Sequence, residues 1–282
     1  TRSYSVTGVH TCALPISLLV EDCITNARDY NNGGARYNTT YIQGVGLGSI
    51  ADMLTSVRYN IYDTGRVTPD QMMRALEADF EGFEELQHDL IYDTPKYGND
   101  DDYADQQAVS VFEIYYDQVN GRPDSRGGVH RINMLPTTCH IYFGSVTDAT
   151  PDGRKSGKPL SEGISPAQGA DKEGPTAVIK SASKIDHLRT GGTLLNQKFA
   201  PQFFEDEESY NCLTALIRSY FALDGHHVQF NVVNASTLRE AQKHPELHRD
   251  LIVRVAGYSD YFNDLGEDLQ DEIILRTEHE TL

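Results

Sequence analysis

Residues 251–277 constrain the fold more than any other part of the chain. Leu251 to Val255 is an apolar run that reads as a buried strand. Phe262, Leu265, Leu269 and Ile273 then recur at three- and four-residue steps, as the inner face of an amphipathic helix requires. Between them stand Ala256, Gly257 and Tyr258, with Ser259 in position to cap the helix. A glycine has no Cβ and adopts backbone geometry barred to other residues. Upstream, 209–223 predicts a helix and His227 to Val233 a strand, with Val228, Phe230 and Val232 alternating along it; Ser236 to Lys243 predicts a short helix. Strand, helix, strand, then Gly257 is an α/β pattern, and ligands in such folds gather at the carboxyl ends of strands.

Charge and cysteine usage exclude several classes of function. The chain has 282 residues, 39% of them apolar, and 24 basic against 42 acidic residues give a net charge of −18. That balance repels nucleic acid and anionic lipid surfaces. No apolar run approaches the roughly 20 residues that span a bilayer. Cys12, Cys23, Cys139 and Cys212 lie far apart without Cys-x-x-Cys spacing, which argues against a zinc site or a disulfide framework and for a reducing, cytoplasmic setting.

The remaining punctuation is informative in places. Residues 1–17 include Val6 to Ile16, which read as a translated sequencing adapter, so they are set aside; natural sequence is expected to begin at Leu18, in mid-protein. Residues 18–29 predict a helix. Gln43-Gly44-Val45-Gly46-Leu47-Gly48 lacks the dinucleotide-binding spacing and leads into a helix with Ile50, Leu54, Val57 and Ile61 on one face. Thr68-Pro69-Asp70-Gln71 has the cap, proline and glutamine of a helix start, with Met73, Leu76, Phe80, Phe83 and Leu90 fitting its buried face loosely. The acids of Lys96 to Asp105 are contiguous rather than alternating, which favours helix capping over a calcium loop. Residues 121–198 are rich in Gly, Pro, Ser and Thr and predict site-building loops, with one strand in Met134 to Gly144.

Arg254-Val255-Ala256-Gly257-Tyr258-Ser259, with Gln270, Glu272, Ile274, Arg276 and Thr277 after it, resembles the radical-bearing motif of the glycyl radical enzymes, the family of pyruvate formate-lyase. The resemblance runs from Leu18 to the end. It includes Gly33 to Tyr37, Tyr97 to Asp105, Ser161 to Pro166 and Gly174 to Ala177. Tyr41 to Gly46, Met134 to Gly144, Gly191 to Pro201 and Asp224 to Asn231 carry a finer likeness to the branch that dehydrates hydroxyproline.

The resemblance implies the C-terminal part of a ten-stranded α/β barrel, with 18–157 in the barrel domain and 158–282 as the glycine radical domain. It implies that Gly257 gives up a Cα hydrogen to an activating enzyme that uses S-adenosylmethionine and an iron–sulfur cluster, so that the protein itself binds no cofactor or metal. A small-molecule substrate and a homodimer are implied as well. The family's thiyl cysteine precedes a glutamate by two residues. Cys23, Cys139 and Cys212 are followed at that distance by Thr25, Ile141 and Thr214, so the cysteine loop is expected upstream of this chain, which would be inactive alone.

Other candidates are weaker. Cys139 beside His140 suggests a nucleophile, but neighbours on a strand point to opposite faces. Thr137 matches a position that faces substrate in the hydroxyproline branch, and equally suits a strand threonine bonding backbone. Arg254 and Arg276 read as partners for carboxylates. Alternatives are a family member acting on glycerol, propanediol or choline, and a non-enzymatic protein that supplies a fresh radical glycine to a damaged partner.

Overall fold

The computed structural model describes residues 16–279. The adapter-like segment therefore lies outside the described residues except for Ile16 and Ser17, and Cys12 lies outside with it. In chain order the named elements are β1 (Thr39–Gln43), α1 (Leu47–Ser56), α2 (Pro69–Glu77), α3 (Glu84–Tyr92), α4 (Asp102–Val119), β2 (Val129–Asn133), α5 (Cys139–Ser145) and α6 (Gly174–Ala182). They continue with β3 (Leu195–Phe199), α7 (Glu207–Ala222), β4 (Val228–Val232), α8 (Ala235–Lys243), β5 (Ile252–Arg254), β6 (Ser259–Tyr261), α9 (Glu267–Leu275) and β7 (Glu278–His279). The chain divides into two compact units. One comprises the residues up to Ile42 with Tyr115–Ile132 and holds most of the two-stranded β1–β2 sheet. The other, Gln43–Ile114 with Asn133–Leu282, holds Gly257.

Two sheets organise the second unit. A parallel sheet has the order β4-β3-β7, with Leu195 opposite Val228 and Phe199 opposite Val232. Every residue of the central strand β3 is buried, including Asn196, Gln197 and Lys198. The second sheet is the antiparallel hairpin β5–β6, with Arg254 opposite Ser259. One apolar cluster supports the hairpin: Val253, Val255, Ala256 and Phe262 pack with Leu194, Leu238, Ile273 and Ile274. Another gathers Val67, Met72, Ala75, Phe80 and Leu90.

Several local expectations hold. The α2 start is a complete capping box, with Thr68 Oγ1 accepting from Gln71 N and Gln71 Oε1 accepting from Thr68 N. The run ending at Asp105 opens α4, and Asp100, Asp102 and Asp105 converge on Lys184. Gly48 sits where a Cβ would stand 2.6 Å from the Ser165 carbonyl, so that glycine serves close packing.

Other expectations are corrected. Gly257 does not join a strand to a helix. It turns the chain back into β6, the turn closed by Val255 N donating to Tyr258 O at 2.9 Å, and α9 begins only at Glu267, with Gly266 as its cap instead of Ser259. Phe262, Leu265, Leu269 and Ile273 still pack on the same cluster, from a 3-10 turn, a loop and a helix. The strand expected in Met134 to Gly144 stops at a single bridge, Met134 to Thr193, because Pro136 has no N–H to continue a ladder; Cys139–Ser145 is helical. In α1 the buried positions include Leu47, Ala51 and Thr55 rather than Leu54, and Val57 and Ile61 lie in a π-helical stretch that shifts the face. Met72 rather than Met73 faces the core. Residues 21–27 form turns, not a helix.

Truncation of the Thr68 cap should cost about 1 kcal/mol. Urea unfolding of Thr68→Ala should show that loss, while Met73→Ala, at an exposed position, should stay within about 0.5 kcal/mol of the parent. Equal effects of the two would contradict the observed capping box.

Candidate active site

The strand preceding Gly257 is tied to the parallel sheet by side chains rather than by a backbone ladder. Gln229 and Asn231 are two residues apart on β4, so both point to the same face. Asn231 Nδ2 donates to Arg254 O at 2.7 Å, and Asn231 Oδ1 accepts from Arg254 N at 2.7 Å. Gln229 repeats the arrangement one step further: Nε2 donates to Val255 O at 3.3 Å, and Oε1 accepts from Gly257 N at 3.0 Å. Each carboxamide thus offers a strand-like donor and acceptor pair to the hairpin. Gln229 Nε2 also donates to Asn196 Oδ1 on β3.

This reverses the expected face of β4. Gln229 and Asn231 are buried, whereas Val232 is exposed and Val228 and Phe230 are half-buried. The polar alternation is visible in the sequence, but an alternating strand is by default read with its apolar residues inside. Asn196, Gln229 and Asn231 are the site residues that sequence reasoning missed.

At the tip, Gly257 has φ +81°, and a Cβ built on it would meet nothing within 4 Å. Substitution there is opposed by backbone strain and not by crowding. Arg254 folds back over the turn. Its guanidinium donates to Gln229 Oε1 at 3.1 Å, to Ser259 Oγ at 3.1 Å and, at a long 3.4 Å, to the Gly257 carbonyl. Among the described residues these bonds, rather than the expected carboxylate, engage Arg254.

Arg276 does meet its carboxylate. It forms a two-pronged pair with Glu272, Nε to Oε1 at 3.0 Å and Nη2 to Oε2 at 2.8 Å, while Nη1 donates to Val255 O at 3.1 Å. Glu272 is fully buried, with Gln168 Nε2 donating to it at 3.1 Å and His140 Nε2 standing 3.6 Å away. Burial opposes its ionisation, but the Arg276 charge and His140 outweigh burial and hold the carboxyl well below the usual range. Burial also favours the neutral form of Glu162, and there it prevails over Arg276. Ser165 links the two regions, its hydroxyl donating to Glu162 Oε1 at 2.6 Å and accepting from Asn196 N at 2.9 Å.

Among the described residues no hydrogen bond joins the other candidates to Gly257. Thr137 is exposed with φ +54°, its hydroxyl donating to the Pro136 carbonyl at 2.7 Å. Leu135 packs against the cluster that holds Val255 and Ala256, which is the link between that segment and the hairpin. Cys139 is exposed and His140 fully buried on α5, so the pair is separated by burial. Cys212 lies on α7, as expected, whereas Cys23 lies in a turn. Cavities of about 230 and 380 Å³ border Lys158, Pro159 and Glu272; neither is lined by Gly257 or Thr137. Among the described residues no helix is long and apolar enough to cross a membrane.

Comparison with known proteins defines the class of this fold and site. Residues 6–144 match the pyruvate formate lyase-like family and residues 160–263 the glycine radical family, so the chain belongs to the glycyl radical enzymes. It is 56% identical to trans-4-hydroxy-L-proline dehydratase of Clostridioides difficile over 93% of its own length and 33% of that protein's. It is 42% identical to isethionate sulfite-lyase of Desulfovibrio desulfuricans over 87% of this chain and 30% of that one. The crystal structure of the Clostridioides difficile hydroxyproline dehydratase with trans-4-hydroxy-L-proline bound superimposes with a TM-score of 0.91 at 55% identity, covering 94% of this chain and 34% of that one. The glycerol-bound glycerol dehydratase of Clostridium butyricum gives 0.89 at 45% identity, over 94% and 34%. The chain therefore spans about a third of the length of these relatives, and its fold is part of their pyruvate formate lyase-like α/β barrel.

Glu272→Gln should leave Arg276 as an unbalanced buried charge and lower stability at neutral pH by about 3–5 kcal/mol. The Glu272 carboxyl is depressed in the fold, so its contribution is present above its ordinary value of 4.5 and is lost as pH falls below it. Denaturation midpoints of parent and variant should accordingly converge in acid. A constant difference from neutral pH downward would contradict the assigned pairing.

Proposed function

We propose that this chain forms the C-terminal portion of a glycyl radical dehydratase that stores its unpaired electron on the Cα of Gly257. One observation carries the reading: within the glycine radical match, Gly257 stands at a hairpin tip with its amide and carbonyl both engaged and nothing crowding its Cα. A radical at that carbon is shared between an amide nitrogen and a carbonyl, which requires a carbon able to flatten. A side chain would hinder that flattening.

The substrate we propose is trans-4-hydroxy-L-proline, supported by the 56% identity to the dehydratase of that compound. In the longer protein, the stored radical passes to a cysteine sulfur on a Cys-x-Glu loop outside this chain. The sulfur takes a hydrogen atom from the ring carbon beside nitrogen. The hydroxyl on the neighbouring carbon leaves as water, its departure aided by a general acid, and return of the hydrogen atom completes 1-pyrroline-5-carboxylate. Thr137 is proposed to face the substrate, its hydroxyl able to bond a carboxylate or hydroxyl without adding charge. A radical S-adenosylmethionine enzyme with an iron–sulfur cluster installs the radical, so this protein needs no cofactor of its own. The working assembly is proposed to be a homodimer. The likeness to a glycerol dehydratase favours glycerol as the competing substrate.

Anaerobic activation of the full-length protein should yield a carbon-centred doublet in electron paramagnetic resonance. The doublet should vanish in Gly257→Ala, and air should cut the activated chain at residue 257. A doublet that persists in the variant would exclude Gly257. Incubation with hydroxyproline should give 1-pyrroline-5-carboxylate; turnover of glycerol, propanediol or choline in its place would overturn the substrate.

A further inference from the structure

We propose that Gln229 is the positioning residue for Gly257, accepting the glycine's amide hydrogen so that the peptide on one side of the Cα is held while Arg254 holds the carbonyl on the other. The proposal rests on the reading of Gly257 as the radical carbon.

The geometry is specific to one side chain. Gln229 Oε1 takes two donors, Gly257 N at 3.0 Å and Arg254 Nε at 3.1 Å. Its Nε2 is committed to Asn196 Oδ1 and Val255 O. The carboxamide cannot rotate without breaking all four contacts, so its oxygen is fixed toward Gly257. Gln229 is buried at 5% exposure, although the glycine it holds is exposed in this chain. The anchor therefore lies on the rigid sheet and the held group on the tip, the arrangement that a precisely oriented site requires.

The polarity of these bonds matches the demands of a captured electron. A hydrogen bond donated by the Gly257 amide makes its nitrogen a better electron donor. A guanidinium at the Gly257 carbonyl makes that group a better acceptor. The two act in the same direction across the Cα, and the bond that Gln229 Nε2 donates to Asn196 makes Gln229 Oε1 a better acceptor. From Gly257 N the contacts run through Gln229 to Asn196. The Asn196 backbone amide then donates to Ser165, whose hydroxyl donates to Glu162. The Asn231 carboxamide, by contrast, bonds the backbone of Arg254 and holds the strand rather than the glycine.

Two variants of the full-length protein separate this role from packing. Gln229→Met keeps the length of the side chain and removes the acceptor, whereas Gln229→Glu keeps an oxygen for Gly257 N and Arg254. Before activation, amide hydrogen exchange at Gly257 should quicken about tenfold in the methionine variant, the worth of one hydrogen bond, and stay near the parent rate in the glutamate variant. After activation, electron–nuclear double resonance should show a changed coupling of the exchangeable Gly257 amide proton in the methionine variant and a retained one in the glutamate variant. Parent-like exchange and coupling in a folded Gln229→Met protein would overturn the proposal, as would loss of both in a folded Gln229→Glu protein. If Gln229→Met fails to fold, the glutamate variant alone decides. A parent protein that never yields a radical would instead overturn the reading of Gly257, leaving the exchange measurement to judge the hydrogen bond.

Discussion

The arrangement around Gly257 depends on two carboxamides standing in for a strand. Gln229 and Asn231 present successive donor and acceptor pairs from β4 to Arg254, Val255 and Gly257. A buried backbone needs partners for its N–H and C=O groups, and a neighbouring strand is the usual source. Here the strand stands off by the length of a side chain. The hairpin is thereby seated on the parallel sheet without becoming its fourth strand, and its tip is left out of the ladder.

The floor beneath the hairpin is charged. Arg276 reaches Val255 O while bound on its other side to Glu272, and both are buried. The Coulomb attraction of such a pair is largely offset by the desolvation of both ions, but loss of either partner is severe. Its value in this fold is directional. A guanidinium fixed by two bonds to a carboxylate offers its remaining N–H groups at a set angle, and those groups meet the carbonyls of the strand that leads to Gly257. The apolar cluster of Val253, Val255, Ala256, Phe262 and Ile273 closes the same region by a force without direction.

Much of this is legible in the order of residues along the chain. The capping box at Thr68, the helix of α7, the strand of β4 and the apolar positions from Phe262 to Ile273 all follow from local rules of period and capping. The candidate site is legible at Gly257 because the motif around it singles out that glycine. Gln229 and Asn231 are not legible, because polar alternation in a strand ordinarily denotes a wet face, and Asn196 is not, because it lies in a polar run within a stretch read as loop. Only a partner arriving from 23 to 28 residues away makes the Gln229 and Asn231 face of β4 an interior.

The sequence by itself determined the class of protein, the position of the glycine, and which residues would be apolar enough to form the core beneath it. These are properties of residue type and spacing, and they survive any local change of secondary structure. Tertiary structure decided that the chain after Gly257 returns as β6 before it becomes α9, that Met134 begins no long strand, and which face of β4 is inside. β6 pairs with the strand just before it, Ile252 to Arg254, but the other two outcomes turn on non-local partners: Thr193 for Met134, the hairpin backbone for Gln229 and Asn231. Hydrogen bonds between distant segments are settled by where the segments meet, and local spacing carries no record of that meeting.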